Sequence, residues 1–105
     1  MAIADLNKAI ELEPDNPTIY HNRAYIYLNT DQLYEAIADE SKAIELDASY
    51  ALAYYNRGIV YYNIGEIDLA IADLNKAIEL SDDSDLTAAA KQSIEAIESK
   101  HGGQQ

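Results

Sequence analysis

Few side chains in this sequence are spaced for catalysis or for metal binding. The two histidines, His21 and His101, lie far apart along the chain. There is no cysteine, which excludes disulfides, thiolate chemistry and cysteine metal sites. The acids recur with a fixed period, as surface ion pairs do, and no Ser/His/Asp or metal-ligand spacing stands out. The sequence therefore predicts a protein that is not an enzyme and that has neither a metal ion nor a cofactor.

Two asparagines are better candidates for a functional role, and that role is binding. Asn22 and Asn56 stand in similar surroundings, "YHNRA" and "YYNRG". A side-chain amide donates and accepts hydrogen bonds at once, so it can hold a peptide backbone in both directions. The alternative is that each amide caps a helix or bonds within its own part of the chain.

Acidic residues dominate the charge, and the formal net charge is −12. This disfavours nucleic acid and anionic membranes as partners, because binding them needs clustered lysine and arginine. Segments 17–29 and 51–63 hold no acid, and Arg23 and Arg57 are their only full charges. No apolar run approaches the roughly 18 residues of a membrane span, and the start does not resemble a signal peptide. A cytoplasmic location is therefore expected.

A repeated phrase reveals the elements that would position these residues. "AIADLNKAIEL" occupies residues 2–12 and 70–80, and a version with two changes occupies 36–46. A fixed period of 20 to 50 residues indicates stacked supersecondary units. Ile3, Leu6 and Ile10 recur at helical spacing, which predicts an amphipathic helix. Its outer face would carry the trios Asp5–Lys8–Glu11, Asp39–Lys42–Glu45 and Asp73–Lys76–Glu79.

The other half of each period predicts a second helix. Asn16 is placed to cap a helix that begins at a proline and spans 17–29, and Ser49 could cap its counterpart at 51–63. Gly65 can end the second of these in a left-handed turn, a geometry that Asp31 tolerates less easily at the matching place. A last helix is predicted over 84–100, stopped by Gly102 and followed by a frayed end.

These features resemble the tetratricopeptide repeat, whose period is about 34 residues and whose pattern is W-x2-L-G-x2-Y, then A-x3-F, then P. The matching positions are Tyr54, Arg57, Gly58, Tyr61, Ala70, Leu74 and Asp82 in the last full unit, and Tyr20, Arg23, Ala24, Tyr27, Ala36, Glu40 and Ala48 in the unit before. The resemblance covers about residues 2–83. It implies an all-α, right-handed superhelical array of six helices in antiparallel pairs. Residues 2–15 would be the second helix of a truncated repeat, 16–49 and 50–83 full repeats, 84–101 a capping helix and 102–105 a tail.

In such an array the first helix of each repeat lines a concave groove, so the resemblance implies a scaffold that binds a peptide segment there. Spacing of 100° per residue selects the side chains on that face. They are Thr18, His21, Asn22, Tyr25, Asn29, Leu52, Tyr55, Asn56, Ile59, Tyr62 and Asn63. Some family members clamp a C-terminal carboxylate with groove lysines. Since Thr18 and Leu52 stand where a lysine would help, that clamp is not expected.

Three points stay open at this stage. Glu40 stands where an apolar residue is expected, so it is either partly exposed or paired with Arg57. Arg23 and Arg57 are expected to pair with acids of the preceding unit. The alternative function is self-association, since a missing partner helix would leave Ile3, Leu6 and Ile10 uncovered. The chain would then be a piece of a longer array that forms a homodimer, with helix exchange as one route.

Overall fold

The computed structural model describes residues 2–101, which form six α-helices with no strand among them. The helices are α1 (Ile3–Leu12), α2 (Pro17–Asn29), α3 (Leu33–Leu46), α4 (Ala51–Asn63), α5 (Ile67–Leu80) and α6 (Ser84–His101). Short connections make successive helices antiparallel. Each helix packs on the next, most closely α2 on α3 and α4 on α5. The predicted all-α solenoid of helix pairs is confirmed.

Helices α2 and α4 both begin where predicted, but only the predicted cap of α2 forms. The Asn16 side chain accepts a hydrogen bond from the Thr18 N–H at 3.0 Å, and a proline occupies the first helical position. Ser49 does not cap α4, because it lies one residue before the N-cap position, and its N–H and hydroxyl both donate to the Asp47 carboxylate, at 3.1 and 3.0 Å. Tyr50 is the residue before α4 and makes no side-chain cap.

The turns after α2 and α4 share one geometry although their residues differ. Gly65 has a φ of 89° and Asp31 a φ of 63°, so both adopt the left-handed conformation that closes a helix. After Asp31, the Gln32 N–H returns to the Tyr27 carbonyl at 2.8 Å. Aspartate tolerates this region better than most residues, which lets the first full repeat do without glycine.

Small residues set the distance between the helices. The fully buried ones, each with no exposed surface, are Ala36, Ala43, Ala53, Ala70, Ala77 and Ala90. At Gly58 an added Cβ would lie 3.1 Å from both the Ala70 carbonyl oxygen and Leu74 Cγ, so α4 and α5 approach too closely there for a methyl group. Ala24 fills the matching place in the other full repeat at 1% exposure. The second pair of helices is therefore the tighter one.

An arginine joins the helices of the first full repeat. The Arg23 guanidinium donates to both Asp39 oxygens at 2.7 Å, and its third nitrogen donates to the Asn7 side-chain oxygen at 2.8 Å. The guanidinium carbon lies 6.0 and 5.8 Å from the ring centres of Tyr20 and Tyr27. One side chain thus links α1, α2 and α3 with fork geometry that only arginine provides.

The same linkage recurs one repeat later and corrects two predictions. Arg57 donates to Asp73 at 2.7 and 2.9 Å and to the Ser41 hydroxyl at 3.1 Å. The arginines therefore pair with acids of their own repeat, and the preceding repeat supplies only a neutral acceptor. Asp39 and Asp73 are 6% and 7% exposed, so they do not belong to a solvated outer face. The remaining parts of the trios do pair there, Lys42 with Glu45 and Lys76 with Glu79, each at 3.5 Å.

Helix α6, the last described helix, has a polar outer surface. Ala90 and Ile97 are buried against α5, whereas Lys91 and Glu95 are exposed. Lys91 stands where the repeat places its arginine, but it makes no comparable linkage among the described residues. The helix agrees with the predicted span to within one residue, while the predicted stop at Gly102 and the tail 102–105 lie outside the described residues.

Candidate functional site

A cavity of about 410 Å³ opens between the first helices of the two full repeats. It is lined by Leu6, His21, Asn22, Tyr25, Ile26, Leu52 and Asn56. None of these side chains is a lysine, arginine or carboxylate. Tyr25 and Leu52 are 54% and 41% exposed, so part of the apolar wall is open to solvent. The cavity therefore combines an apolar wall with a few amide and imidazole groups.

The cavity brings together some of the predicted groove residues and leaves others outside. Those that line it are His21, Asn22, Tyr25, Leu52 and Asn56. Thr18, Asn29 and Asn63 are exposed beyond its edges, while Tyr55, Ile59 and Tyr62 are half-buried against the core beneath α4 and α6. The spacing argument missed Ile26 and Leu6, because a helical wheel cannot show which neighbouring helix closes the space.

Leu6 is not an uncovered surface residue, as its assignment to a self-association surface had assumed. It is 1% exposed, and it forms part of the cavity wall. Ile3 and Ile10 of the same stripe are half-buried, and Ile10 packs beneath Tyr20. The exposed apolar residue of α1 is Leu12, at 71%. Self-association through this helix stays a prediction, with the exposed surface lying at a different residue.

Behind the cavity wall lies a buried polar pair. His21 Nδ1 lies 3.0 and 3.1 Å from the two Glu40 carboxylate oxygens. Glu40 is 1% exposed and His21 is 7% exposed. Both earlier interpretations of Glu40 are therefore wrong, since it is neither partly exposed nor paired with Arg57, whose partner is Asp73.

Burial and hydrogen bonding act on Glu40 in opposite directions. Removal from water raises the pKa of the Glu40 carboxyl, because the charged form loses hydration. The His21 ring and then the Asn56 amide lower it by hydrogen bonding to the charged form. The net pKa is raised above its ordinary value. Groups from α2 and α4 therefore favour the ionised form of Glu40 and oppose the effect of its burial.

Asn22 and Asn56 consequently differ, although they occupy equivalent positions. Asn22 is exposed and free to meet a partner across the cavity. Asn56 is 8% exposed, and its amide faces Glu40, which belongs to the preceding repeat. Tyr50 closes the same corner, with its ring centre 5.3 Å from that of His21. Burial raises the pKa of the Tyr50 hydroxyl, so it stays a neutral donor.

The polar cluster His21–Glu40–Asn56 occurs at one repeat junction only within the described residues. One period further along the chain, its members are replaced by Tyr55, Leu74 and Ala90. Leu74 and Ala90 have no exposed surface, and Tyr55 packs against their cluster. One period before Glu40, the equivalent residue is Leu6. Three coordinated departures from an apolar pattern were therefore readable in the sequence, but only by comparing positions on three helices.

The described residues contain no group of three or more histidine, cysteine, aspartate or glutamate side chains placed to hold a metal ion. Across residues 2–101, the helices are all too short or too polar to span a bilayer.

Comparison with known families identifies the class of the protein. A tetratricopeptide repeat model matches residues 51–84, and a second model, described as TPR repeat, matches residues 1–31 and 26–65. Because these matches cover well over half of the chain, it belongs to the tetratricopeptide repeat family. Members of this family are non-enzymatic protein-interaction modules, and this chain is one of them.

Solved structures show which proteins it is similar to. The first TPR of Spaghetti (RPAP3), bound to the HSP90 peptide SRMEEVD, is 26% identical over 93% of this chain and 75% of that one, with a TM-score of 0.85. MamA is 31% identical over 95% and 57%, with a TM-score of 0.86, so the chain spans little more than half of it. The Arabidopsis OM64 TPR domain is 27% identical over 90% and 78%, with a TM-score of 0.82. Comparison with curated proteins gives no significant match.

Proposed function

We propose that this protein-interaction scaffold binds a segment of its partner in the cavity between α2 and α4. The observation that carries the proposal is a cavity of about 410 Å³ whose wall is apolar yet open to solvent. Ligand pockets typically have volumes of about 300 to 1,000 Å³ with a few orienting polar groups. The Spaghetti domain, a related fold, binds a peptide, which supports the same mode here.

Each wall residue would make a different kind of contact with the bound segment. Tyr25 and Leu52 offer exposed apolar area on either side of the opening. Asn22 is the accessible amide, able to accept from one backbone N–H and donate to one backbone carbonyl of an extended segment. Leu6 lines the wall and would contact an inserted apolar side chain. Tyrosine is enriched in binding surfaces because it offers apolar area with a polar tip.

A pair of cavity variants tests the location. Short random peptides displayed on phage are selected on the intact chain, and a selected peptide is labelled and titrated by fluorescence anisotropy. Tyr25→Ala and Asn22→Ala should each weaken binding by about tenfold, the usual effect of removing an interface anchor. Tyr34→Ala is the matched control. Tyr34 is also exposed, at 73%, but it lies in the first turn of α3 and does not line the cavity. Equal weakening by Tyr34→Ala, or no weakening by the cavity variants, would refute the location.

A second copy of the chain is the competing occupant. Light scattering over a range of protein concentrations measures the mass in solution, and Leu12→Ser removes the exposed apolar residue of α1. A monomer whose peptide binding depends on Tyr25 supports the groove. A dimer that Leu12→Ser dissociates without altering peptide binding supports the self-association alternative.

A further inference from the structure

Acidic residues occupy the helix connections at both edges of the array. Because successive helices are antiparallel, the connections before α2, α4 and α6 lie at one edge of the array and those after α2 and α4 at the other. Every connection contains an acid, and none contains lysine or arginine. The acids are Glu13, Asp15, Asp31, Asp47, Glu66, Asp82 and Asp83. A segment that crosses the groove and leaves it on either side therefore passes through negative potential.

The cations closest to the groove are already neutralised. Arg23 and Arg57 are the only full charges on α2 and α4. Each donates to both oxygens of one carboxylate and to a third acceptor, so its fork is occupied. No lysine or arginine lines the cavity. The wall therefore offers no lysine or arginine to pair with an acidic side chain of the kind found in the peptide SRMEEVD.

A carboxylate lies directly behind the cavity wall, because both oxygens of Glu40 contact the wall residue His21. Glu40 has only acceptor oxygens when ionised, so His21 must present a hydrogen on Nδ1. When the imidazole carries this one proton, Nε2 is an acceptor. Nε2 makes no hydrogen bond to any described residue. Because every buried polar side-chain atom in residues 2–101 has a hydrogen-bond partner, Nε2 is not fully buried, and solvent reaches it from the cavity. The wall thus offers an acceptor backed by negative charge.

We propose that the groove selects a basic segment, with a lysine or arginine side chain of the partner donating to His21 Nε2 and further basic residues lying against the acidic edges. This inference rests on the proposed groove function and names the chemical class of its partner. Glu40 is then a positioning residue, which fixes the tautomer of His21 without touching the partner. A net charge of −12 on the whole chain favours the encounter with a basic partner.

The phage selection described above tests the charge of the partner directly. The intact chain and the Glu40→Leu variant are each exposed to the same random library, and the recovered sequences are compared. Leucine is the matched substitution, since the equivalent positions hold Leu6 and Leu74, both buried. Peptides from the intact chain should be enriched in lysine and arginine, and peptides from the variant should lose that enrichment. Replacing one lysine of a selected peptide by glutamate should weaken binding by at least about tenfold.

A second set of variants leaves the core untouched. Asp15→Asn combined with Asp47→Asn removes two charges from the edge of the groove, and Glu95→Gln combined with Glu98→Gln removes two from the exposed face of α6. Only the first pair should weaken a basic peptide and reduce the salt dependence of its binding. Circular dichroism confirms that both pairs keep their helices.

The outcomes separate the two proposals. If peptides depend on Tyr25 but are neutral or acidic, the basic-segment inference is overturned and the groove function stands. The same holds if both double variants behave alike and Glu40→Leu leaves the selected charge unchanged. If selected peptides are indifferent to the cavity variants, or none is recovered, both proposals are overturned.

Discussion

Removing His21 while keeping Glu40 should give a protein whose stability falls as pH rises. In His21→Leu the buried carboxyl loses the ring that contacts both of its oxygens at 3.0 and 3.1 Å. Its folded-state pKa, already raised by burial, must then rise further. A carboxyl with a raised folded-state pKa favours folding most below its unfolded pKa. That contribution is lost as pH rises through the folded value.

The size of this effect has an upper bound set by protonation. In the unfolded chain the carboxyl keeps its ordinary pKa of 4.5. A buried, unpaired carboxyl can escape the desolvation penalty by taking up a proton, at a cost of about 3.4 kcal/mol at pH 7 and about 0.7 kcal/mol at pH 5. Breaking a buried charge pair costs about 3 to 5 kcal/mol in other proteins. The destabilisation of His21→Leu by the buried carboxyl should therefore come close to the protonation cost at pH 7.

The assay compares His21→Leu with the double variant His21→Leu/Glu40→Leu, so that no imidazole titrates at this site. Free energies of unfolding are measured by urea denaturation, followed by circular dichroism, at pH 5 and pH 7. The double variant should be the more stable protein, by a margin that grows by about 2 to 2.7 kcal/mol from pH 5 to pH 7. The hydrophobic gain from leucine is the same at both pH values, and the repulsion among the remaining acids is common to both variants, so neither contributes to that difference.

The wild-type chain and Glu40→Leu supply the control. Because His21 and Asn56 lower the pKa of Glu40, the difference in free energy of unfolding between wild type and Glu40→Leu should change less with pH. A margin between His21→Leu and the double variant that is constant to within about 0.5 kcal/mol, the usual limit for independent sites, would show that Glu40 is hydrated and would refute the description of the cluster.

Three further predictions concern stability, and each is checked by urea denaturation. Arg57→Lys should cost about 1 to 3 kcal/mol, because an ammonium cannot reproduce the fork to Asp73 and the bond to Ser41, and a change below about 0.5 kcal/mol would contradict this. Gly58→Ala should cost about 1 to 3 kcal/mol, since its methyl group would press on the Ala70 carbonyl at 3.1 Å, and a stabilised variant would show that α4 can move away. Gly65→Ala should cost about 1 to 2 kcal/mol through backbone strain alone, because no atom lies within 4 Å of the added Cβ, and an unchanged stability would show that the turn relaxes.

The fold was predictable because its signals are local or periodic. The fixed repeat period gives the number and order of the helices, and Asn16 before a proline fixes the start of α2. The Ser49 cap was wrong because the serine lies one residue too early for α4 and two residues after an aspartate that accepts its hydrogen bonds. Asp47 captures both its hydroxyl and its N–H, and this competition is invisible to a rule that scores one position at a time.

The site was less predictable because its contacts depend on where helices cross. Asp39 lies on the helix stripe that also holds Lys42 and Glu45, and the sequence alone does not show that Arg23 reaches it from α2. Glu40 was recognised as a departure from the family pattern. Its partner, His21, could be found only by noticing that both positions change together, to leucine and tyrosine, one period later.

The polar cluster also bears on why the two repeats differ where their helices are otherwise so alike. An apolar version of the junction already exists in the chain, built from Tyr55, Leu74 and Ala90, and buried charge pairs are often no more stable than apolar replacements. A stability advantage therefore does not explain the cluster. Its members differ from the apolar version in one further respect, because His21 and Asn56 reach the cavity wall. If the double leucine variant is at least as stable as wild type and no longer prefers basic peptides, stability and recognition are separated at this junction, and the cluster's contribution lies in recognition.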